Sequence, residues 1–318
     1  MAIRALKKIL FVVFLCLFST ASAASGFSIH FLDVGQGDAA IVLCGDEVMM
    51  IDCGDSPFVY SYLTDTLNVS NIDYMIATHP HEDHIGGLAG VLDTCTVETI
   101  YGYDCQTFQE HANNLLTPTV GDTFFLGAAS VQFLSPAREY DNVNDMSIIV
   151  KIVYGNTSFL FTGDAEIEAE YDLLESEYDL HSTVLKVGHH GSDTSSSYDF
   201  LREVKPRYAI ISVGENNLYG HPSESTLDRL SDVGATIYRT DINGTIICYS
   251  DGNSLTFELE KDVIEEKEIV YIGNKSTKKF HYSGCSSVSD MKSKNKIEFS
   301  SRDKAISQGY VPCKHCNP

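Results

Sequence analysis

The sequence predicts an α/β protein, from two observations. Its 318 residues are 43% hydrophobic and 21% charged, which is a globular composition, large enough for about two domains. Short apolar runs, typical of strands, alternate between Ser28 and Glu260 with longer amphipathic stretches, typical of helices. Such alternation indicates sheets covered by helices.

The predicted elements follow the periodicity of apolar residues. The strands are expected at residues 28–33, 40–43, 47–51, 74–77, 131–134, 147–153, 157–161, 183–186, 208–211, 236–238 and 244–249. The helices are expected at residues 58–67, 84–91, 165–175, 197–204 and 223–231, the last beginning at the capping residue Ser223.

Charge is distributed unevenly along the chain. The whole chain has a net charge of −22, but the segment from Asn274 to Pro318 has nine basic and three acidic residues. The acidic remainder excludes a uniformly basic surface that binds nucleic acid unaided, so a polyanionic substrate would need bound cations. The basic tail suggests a second module with a different partner, or simply a solvated charged surface.

The first 23 residues have the pattern of a signal peptide. Basic residues precede the apolar run from Ile9 to Phe18, and Ala21-Ser22-Ala23 supplies a cleavage site of small residues. The run is about half the length that spans a bilayer, and no later segment is long and apolar enough to do so. We therefore expect a secreted protein without a transmembrane segment in the mature chain.

One turn carries an unusual density of metal-ligand side chains. His79, His81, Asp83 and His84 fall within six residues after an apolar run, and Gly86-Gly87 allows the backbone to pack closely there. Imidazole nitrogens and carboxylate oxygens hold Zn²⁺ or Mn²⁺ while leaving coordination positions open. The alternative is a turn whose histidines are merely hydrogen-bonded.

Further candidate ligands follow other predicted strands. Asp164 follows residues 157–161, and His189-His190 follow residues 183–186. Asp52 ends another strand and is expected to orient a metal-bound histidine through a hydrogen bond. Each signal is weak alone, because an aspartate after a strand is more often a turn residue.

Taken together, these motifs resemble the metallo-β-lactamase superfamily, in particular the branch related to the extracellular hydrolase domain of the competence protein ComEC. The resemblance covers about residues 28–260 and is carried by Phe31–Ala39, the His79–Gly87 box, Phe161–Asp164, Lys186–Ser192 and Tyr219–Pro222. It implies a four-layer αββα sandwich with two divalent metal ions at one edge. One metal would be held by His79, His81 and Asp164; the other by Asp83, His84, Asp164 and one of His189 and His190, with His190 favoured.

The resemblance also implies supporting and catalytic residues. Asp33, Asp38, Asp52, Asn144 and Ser147 are expected to support the metal ligands. Asp83, His189 and His221 are the catalytic candidates, and the two histidines are expected to contact the phosphate or protonate the leaving group. His221 could instead be a helix-entry residue before Pro222.

One departure from true β-lactamases of this fold stands out. They have a further histidine between the first box and the bridging aspartate, whereas here that segment contains only His111, in a polar stretch. This argues against β-lactam hydrolysis.

The basic tail contains a second set of candidate metal ligands. His281-x3-Cys285 and a later Cys313-x-x-Cys316 supply the four N/S ligands of a closed structural zinc site. The alternative is disulfides or free thiols. The tail, residues 271–318, resembles the metal-binding module of the Ada DNA-repair protein, with His281 where Ada has its first cysteine ligand. A zinc-stabilised basic module of this kind could contact DNA phosphates.

The sequence predicts a secreted, metal-dependent phosphodiesterase that acts on nucleic acid through a metal-activated water. DNA is the favoured substrate. Residues 24–262 would form the hydrolase domain. The alternatives are a phosphodiesterase on a cell-envelope polymer such as phosphocholine teichoic acid, or a non-catalytic DNA-binding or uptake protein. No protein partner can be inferred.

Overall fold

The computed structural model describes residues 26–102, 112–261, 271–282, 285–300 and 302–316. The chain divides into two compact units, residues 1–261 and 262–318. The predicted signal peptide (residues 1–23) and His111 lie outside the described residues. Among those described, no helix has the length and apolar character needed to cross a membrane.

Two sheets form the first unit. The first sheet has eight strands in the order β15-β14-β1-β2-β3-β4-β5-β6, and the second has seven in the order β13-β12-β11-β10-β9-β8-β7. The strands are β1 Phe27–Phe31, β2 Ala39–Cys44, β3 Glu47–Cys53, β4 Asn71–Ile76, β5 Thr96–Tyr101, β6 Ala112–Leu116, β7 Thr123–Leu126, β8 Ala129–Ser135, β9 Ile149–Tyr154, β10 Thr157–Phe161, β11 Val184–Lys186, β12 Tyr208–Ile211, β13 Thr236–Arg239, β14 Ile246–Ser250 and β15 Leu255–Leu259.

Helices cover the outer face of each sheet. The α-helices of this unit are α1 Phe58–Ser61, α2 Glu82–Ile85, α3 Leu88–Thr94, α4 Ile167–Leu174, α5 Tyr198–Val204, α6 Glu224–Asp232 and α7 Thr240–Asn243. A π-helical segment, Tyr62–Thr66, continues α1, and a 3₁₀ turn spans Gly188–Gly191.

Three apolar clusters define the layers. One cluster lies between the sheets and contains Phe27, Ile29 and Phe31 of β1 with Phe159 and Phe161 of β10. A second joins the first sheet to α1 and α3, and a third joins the second sheet to α4, α5 and α6. Because both sheets are buried on two faces, the order of layers is αββα, which confirms the predicted fold class.

The apolar runs of the sequence account for most of these elements, and the structure adds strands that the sequence analysis missed. Three of them, β6, β7 and β15, are sheet edges of only four or five residues, so the apolar signal of each is short. The helix expected at residues 84–91 is two helices, α2 and α3. The break lies at Gly86-Gly87, where a Cβ on Gly87 would lie 2.8 Å from the backbone oxygen of Cys53.

The second unit is a small sheet with short helices. Its strands, in the order β18-β16-β17-β19, are β16 Tyr271–Asn274, β17 Lys279–Tyr282, β18 Lys296–Phe299 and β19 Val311–Pro312. The helices are α8 Ser286–Ser289 and α9 Arg302–Ser307, with a 3₁₀ turn at Ser293–Asn295. Phe280, Phe299 and Tyr310 form an apolar cluster on one side, and Cys285 and Cys313 lie in another with Ile272.

Candidate metal centres and active site

Polar side chains of the first unit gather where parallel strands end. Strands β3 and β4 are parallel neighbours in one sheet, as are β10, β11 and β12 in the other. The segments that follow these strands carry the candidate ligands, which are His79–His84, Asp164 and His189-His190, while Asp52 lies at the end of β3 itself. Sites in such sheets form at the carboxyl ends of the strands.

His84 is fully buried between two carboxylates. Its Nδ1 lies 2.7 Å from Asp52 Oδ2, and its Nε2 lies 3.2 Å from Asp164 Oδ1. Asp52 also accepts hydrogen bonds from the backbone N–H of Thr78 (2.8 Å) and from its hydroxyl (2.6 Å). Asp52 therefore fixes both the ring of His84 and the start of the histidine-rich turn.

Two buried polar atoms in this group form no hydrogen bond. His84 Nε2 and Asp164 Oδ1 are buried and lie 3.2 Å apart, but the geometry of this contact is not that of a hydrogen bond, and neither atom has another hydrogen-bond partner. Buried polar atoms are rarely left unpartnered, because the cost of desolvation is then uncompensated. One ligand atom from each of His79, His84 and Asp164 also lies within 4.8 Å of the others, so the donor set and its spacing fit a divalent cation.

His79 and His81 contact each other at the same place. His79 Nε2 lies 3.0 Å from His81 Nδ1, while His79 Nδ1 lies 3.4 Å from Ser147 Oγ. The same hydroxyl accepts the backbone N–H of Asp164 at 3.0 Å. Ser147 therefore connects two of the candidate ligands, although His81 itself is exposed.

His190 contributes to a second group. His190 Nε2 lies 3.1 Å from Asp83 Oδ2, and ligand atoms of Asp83, His84 and His190 lie within 4.8 Å of one another. On the other side of the ring, Nδ1 lies 2.9 Å from the backbone oxygen of Ser212 and 3.2 Å from Asp38 Oδ1. These contacts orient Nε2 of His190 towards Asp83.

His189 points elsewhere. Its Nδ1 lies 3.1 Å from Glu166 Oε1, its Nε2 is 3.9 Å from Asp164 Oδ2, and its side chain is 24% exposed, against 2% for His190. Both residues have a left-handed backbone, with φ of 47° and 51°. Left-handed non-glycine residues are strained and cluster at functional sites. The geometry thus favours His190 as the ligand and leaves His189 free to face a substrate.

The carboxylates determine the electrostatics of the cluster. Burial alone would lower the pKa of His84, but Asp164 and Asp52 hold it well above its usual range. The same balance between burial and the nearby Asp164 and Asp38 raises the pKa of His190 to about 10. Burial and the neighbouring His84 lower the pKa of His79 to about 3. The carboxylates that raise the pKa of His84 and of His190 are thus the groups whose negative charge would also attract a divalent cation.

An open cavity of about 330 Å³ adjoins the two groups. His221 lies in its wall, with its ring 5.6 Å from that of His189 between centroids. Burial lowers the pKa of His221, with the nearby His189 as the next cause. The cavity is lined by Gln36, His81, Glu82, Asp83, Asp164, His189, His190, Tyr219 and His221. The three catalytic candidates therefore share one solvent-accessible space.

The supporting residues fall into two sets. Asp38 and Ser147 contact candidate ligands directly, as Asp52 does. Asn144 supports the site indirectly: its amide donates to Glu166 at 2.9 Å, and its backbone oxygen accepts the backbone N–H of Ser147 at 3.0 Å. The carboxylate of Asp33 accepts hydrogen bonds from the backbone N–H of Gly35 and from Lys261, the latter at 3.0 Å, rather than from a candidate ligand.

Sequence reasoning missed two charged residues. Lys186 is 3% exposed and lies 2.7 Å from Asp38 Oδ2, so it neutralises a carboxylate beside His190. Glu166 binds His189. The sequence does contain a signal for Lys186, because a lysine at the end of a buried strand needs a buried anion as its partner. It contains no comparable signal for Glu166.

The second unit contains a separate group. Ligand atoms of His281, Cys285, Cys313 and Cys316 lie within 4.8 Å of one another. Nδ1 of His281 is buried without a hydrogen-bond partner, and the three cysteines are free thiols. This arrangement matches the donor set of a closed zinc site and does not support the disulfide alternative.

Comparison with known proteins supports both predicted resemblances. Residues 32–105 match the family model of the metallo-beta-lactamase superfamily, and residues 261–318 match the metal binding domain of Ada. The resemblances predicted from the sequence are therefore confirmed.

Three of the curated relatives are named as competence or recombination proteins. The chain is 29% identical to ComE operon protein 3 of Bacillus subtilis, over 74% of this chain and 34% of that protein. It is 32% identical to Competence protein ComA of Neisseria gonorrhoeae, over 67% of this chain and 31% of that protein, and 30% identical to Recombination protein 2 of Haemophilus influenzae, over 68% and 28%. The chain spans about a third of the length of these relatives.

Among solved structures, CmlA, a diiron β-hydroxylase from Streptomyces venezuelae, is similar in fold. The TM-score is 0.50 at 13% sequence identity, over 68% of this chain and 53% of that one. At this identity the likeness concerns the fold alone.

Replacing Asp52 tests how the site is supported. We expect Asp52→Ala to weaken metal binding roughly 10- to 100-fold, because His84 loses the carboxylate that orients its ring. The measurement is competitive titration with a chelating dye, with Asp33→Ala as the matched control. Equal affinity in wild type and Asp52→Ala would show that Asp52 does not support a ligand.

Replacing Cys313 tests the second unit. Cys313→Ser should remove one zinc equivalent and make the tail sensitive to protease, because a small metal-bound module depends on its metal for folding. Metal analysis and limited proteolysis measure both effects, with Cys248→Ser, in the core of the first unit, as the control. Full zinc retention by Cys313→Ser would contradict the assignment.

Proposed function

We propose that this protein is a metal-dependent phosphodiesterase that acts on nucleic acid, with DNA as its main substrate. Residues 24–262 would be the catalytic domain and residues 271–318 a zinc-stabilised module that binds the same substrate. The signal-peptide pattern of residues 1–23 supports export of the chain.

The observation that carries this proposal is the unmet bonding capacity of the buried ligands beside an open cavity. His84 Nε2 and Asp164 Oδ1 lack hydrogen-bond partners, and Asp164 lines a cavity of about 330 Å³. A purely structural metal site closes around its ion, whereas a catalytic site leaves room for water and substrate. The arrangement therefore favours an enzyme over a non-catalytic binding protein.

Two divalent cations at this site would acidify a water molecule and neutralise charge on the phosphoryl oxygens. Side chains of this chain supply the remaining contributions to the reaction. Asp164 lies between the two candidate groups, 3.2 Å from His84 and 3.7 Å from His190. His189 and His221 face the cavity, where either can donate a proton to the departing oxygen or hold the phosphate.

Two further facts support DNA as the substrate. Three of the curated relatives are named for competence or recombination. The basic side chains of the second unit that lie exposed include Lys275, Lys279, Lys292, Lys294 and Lys314. Exposed lysines on a small module can neutralise phosphates that the acidic first unit would repel.

The test is hydrolysis by Asp164→Asn. This variant should fold but lose diester hydrolysis, because a neutral amide cannot hold two cations together. Turnover is measured on bis(p-nitrophenyl) phosphate and on DNA with added Zn²⁺ or Mn²⁺, and circular dichroism verifies the fold. The control, Asp199→Asn, changes a carboxylate that is 66% exposed on α5.

Retention of more than a tenth of wild-type turnover by Asp164→Asn would contradict the assignment of two metals. Hydrolysis of a choline-bearing envelope polymer in preference to DNA would replace the substrate, and metal binding with no hydrolysis of any diester would favour the non-catalytic alternative.

A further inference from the structure

Two large apolar side chains protrude next to the cavity. Leu218 is 99% exposed and Tyr219 is 72% exposed, and Tyr219 lines the cavity wall beside His221. Isolated exposed apolar residues are common on proteins. Two adjacent ones at the mouth of a candidate active site indicate contact with a ligand.

The loop that carries them is held in place by its own hydrogen bonds. The Nδ2 of Asn217 donates to the backbone oxygens of Gly214 (3.1 Å) and His221 (2.7 Å). Its Oδ1 accepts from the backbone N–H groups of Tyr219 and His221, each at 3.1 Å. One asparagine thus fixes both ends of the segment, so little conformational entropy remains to be lost when Tyr219 meets a ligand.

The Tyr219 ring is oriented relative to a catalytic candidate. It lies nearly parallel to the ring of His221, with an interplanar angle of 13° and centroids 5.8 Å apart. A flat group stacked on Tyr219 would therefore lie beside the histidine proposed to contact the phosphate. In a nucleotide, one sugar separates the base from its phosphate. A base stacked on Tyr219 would therefore have its phosphate close to His221.

Charge favours the same occupant. Glu82, Asp83 and Asp164 line the cavity, and no lysine or arginine is among its lining residues. Apart from the proposed metal ions, the described lining residues therefore offer no lysine or arginine to attract a phosphate, whereas aromatic stacking acts on the uncharged face of a base.

We propose that Tyr219 forms a stacking platform for one unpaired nucleobase, which positions the adjoining phosphodiester in the metal site. The inference rests on the proposed phosphodiesterase function and specifies how that site recognises its substrate. A base inside a duplex is stacked on both faces, so the platform requires a base that is unpaired or has been displaced from its stack.

The experiment compares matched substrates and matched variants of the full chain. The substrates are a single-stranded oligodeoxynucleotide and the same strand with abasic sugars throughout. The variants are Tyr219→Ala, Tyr219→Phe, and Tyr171→Ala as a control that removes a tyrosine 55% exposed on α4. The readout is KM and kcat for each pair, together with quenching of 2-aminopurine fluorescence in the strand on binding.

Tyr219→Ala should raise KM for the base-containing strand by about 5- to 100-fold, the range expected for loss of one aromatic stacking contact. It should leave the abasic strand unchanged. Tyr219→Phe should behave like wild type because the ring remains, and so should Tyr171→Ala. Quenching of 2-aminopurine should disappear only in Tyr219→Ala.

Equal losses on both strands in Tyr219→Ala, or no loss on either, would overturn the platform, as would a choline-bearing polymer as the only substrate that depends on Tyr219. If wild type cleaves no diester, the proposed function fails, and the fluorescence measurement still decides the platform. Quenching that is equal in wild type and Tyr219→Ala refutes it.

Discussion

Two buried histidines, His84 and His190, lie among the carboxylates of Asp38, Asp52, Asp83 and Asp164. Burying this much negative charge is costly unless each carboxylate has a partner. Lys186 neutralises Asp38, and Thr78 donates two hydrogen bonds to Asp52. The remaining negative charge is that of Asp164 and Asp83, which face the cavity. Because this negative charge must be compensated there, the site is suited to binding cations.

The fold brings these groups together at the ends of buried strands. Each candidate ligand lies in or just after a segment that ends a buried strand, and the packed sheets hold those ends close together. The closest approach is made through glycine: Gly37 has a left-handed φ of 146°, and any Cβ on it would collide with the backbone oxygen of Asp83. The backbone N–H of Asp38 donates to that same oxygen at 3.0 Å. The turn after β1 thereby supports the turn that carries the histidines.

Much of this arrangement could be predicted from the sequence. The His79–His84 spacing is specific, and the fully buried strands have continuous apolar runs that identify them. The sequence could not show which of the adjacent histidines His189 and His190 faces Asp83. The direction of each ring depends on the left-handed backbone of both residues, which the folded structure imposes. Nor could the sequence show that the carboxylate of Asp33 pairs with Lys261, far along the chain. The edge strands β6, β7 and β15 were missed because each has only four or five residues, too short a run for a clear period-2 pattern.

The two units illustrate different uses of similar ligands. In the second unit His281, Cys285, Cys313 and Cys316 close on one point, as a structural zinc requires. In the first unit the ligands are divided between two overlapping groups that share His84 and border open space. Because of this difference, we assign a stabilising role to the metal site of the second unit and hydrolysis to the site of the first unit.

The central claim, that the first unit holds two cations in addition to the zinc of the second, is tested most directly by the metal content of the purified full chain. Elemental analysis after equilibration with Zn²⁺ or Mn²⁺ and removal of free metal should give about three equivalents per chain, and about one in a variant that combines His84→Ala with Asp164→Asn. One equivalent in the wild type, unchanged in that variant, would contradict the account, because it would leave the carboxylates of the first unit without the cations that their burial requires.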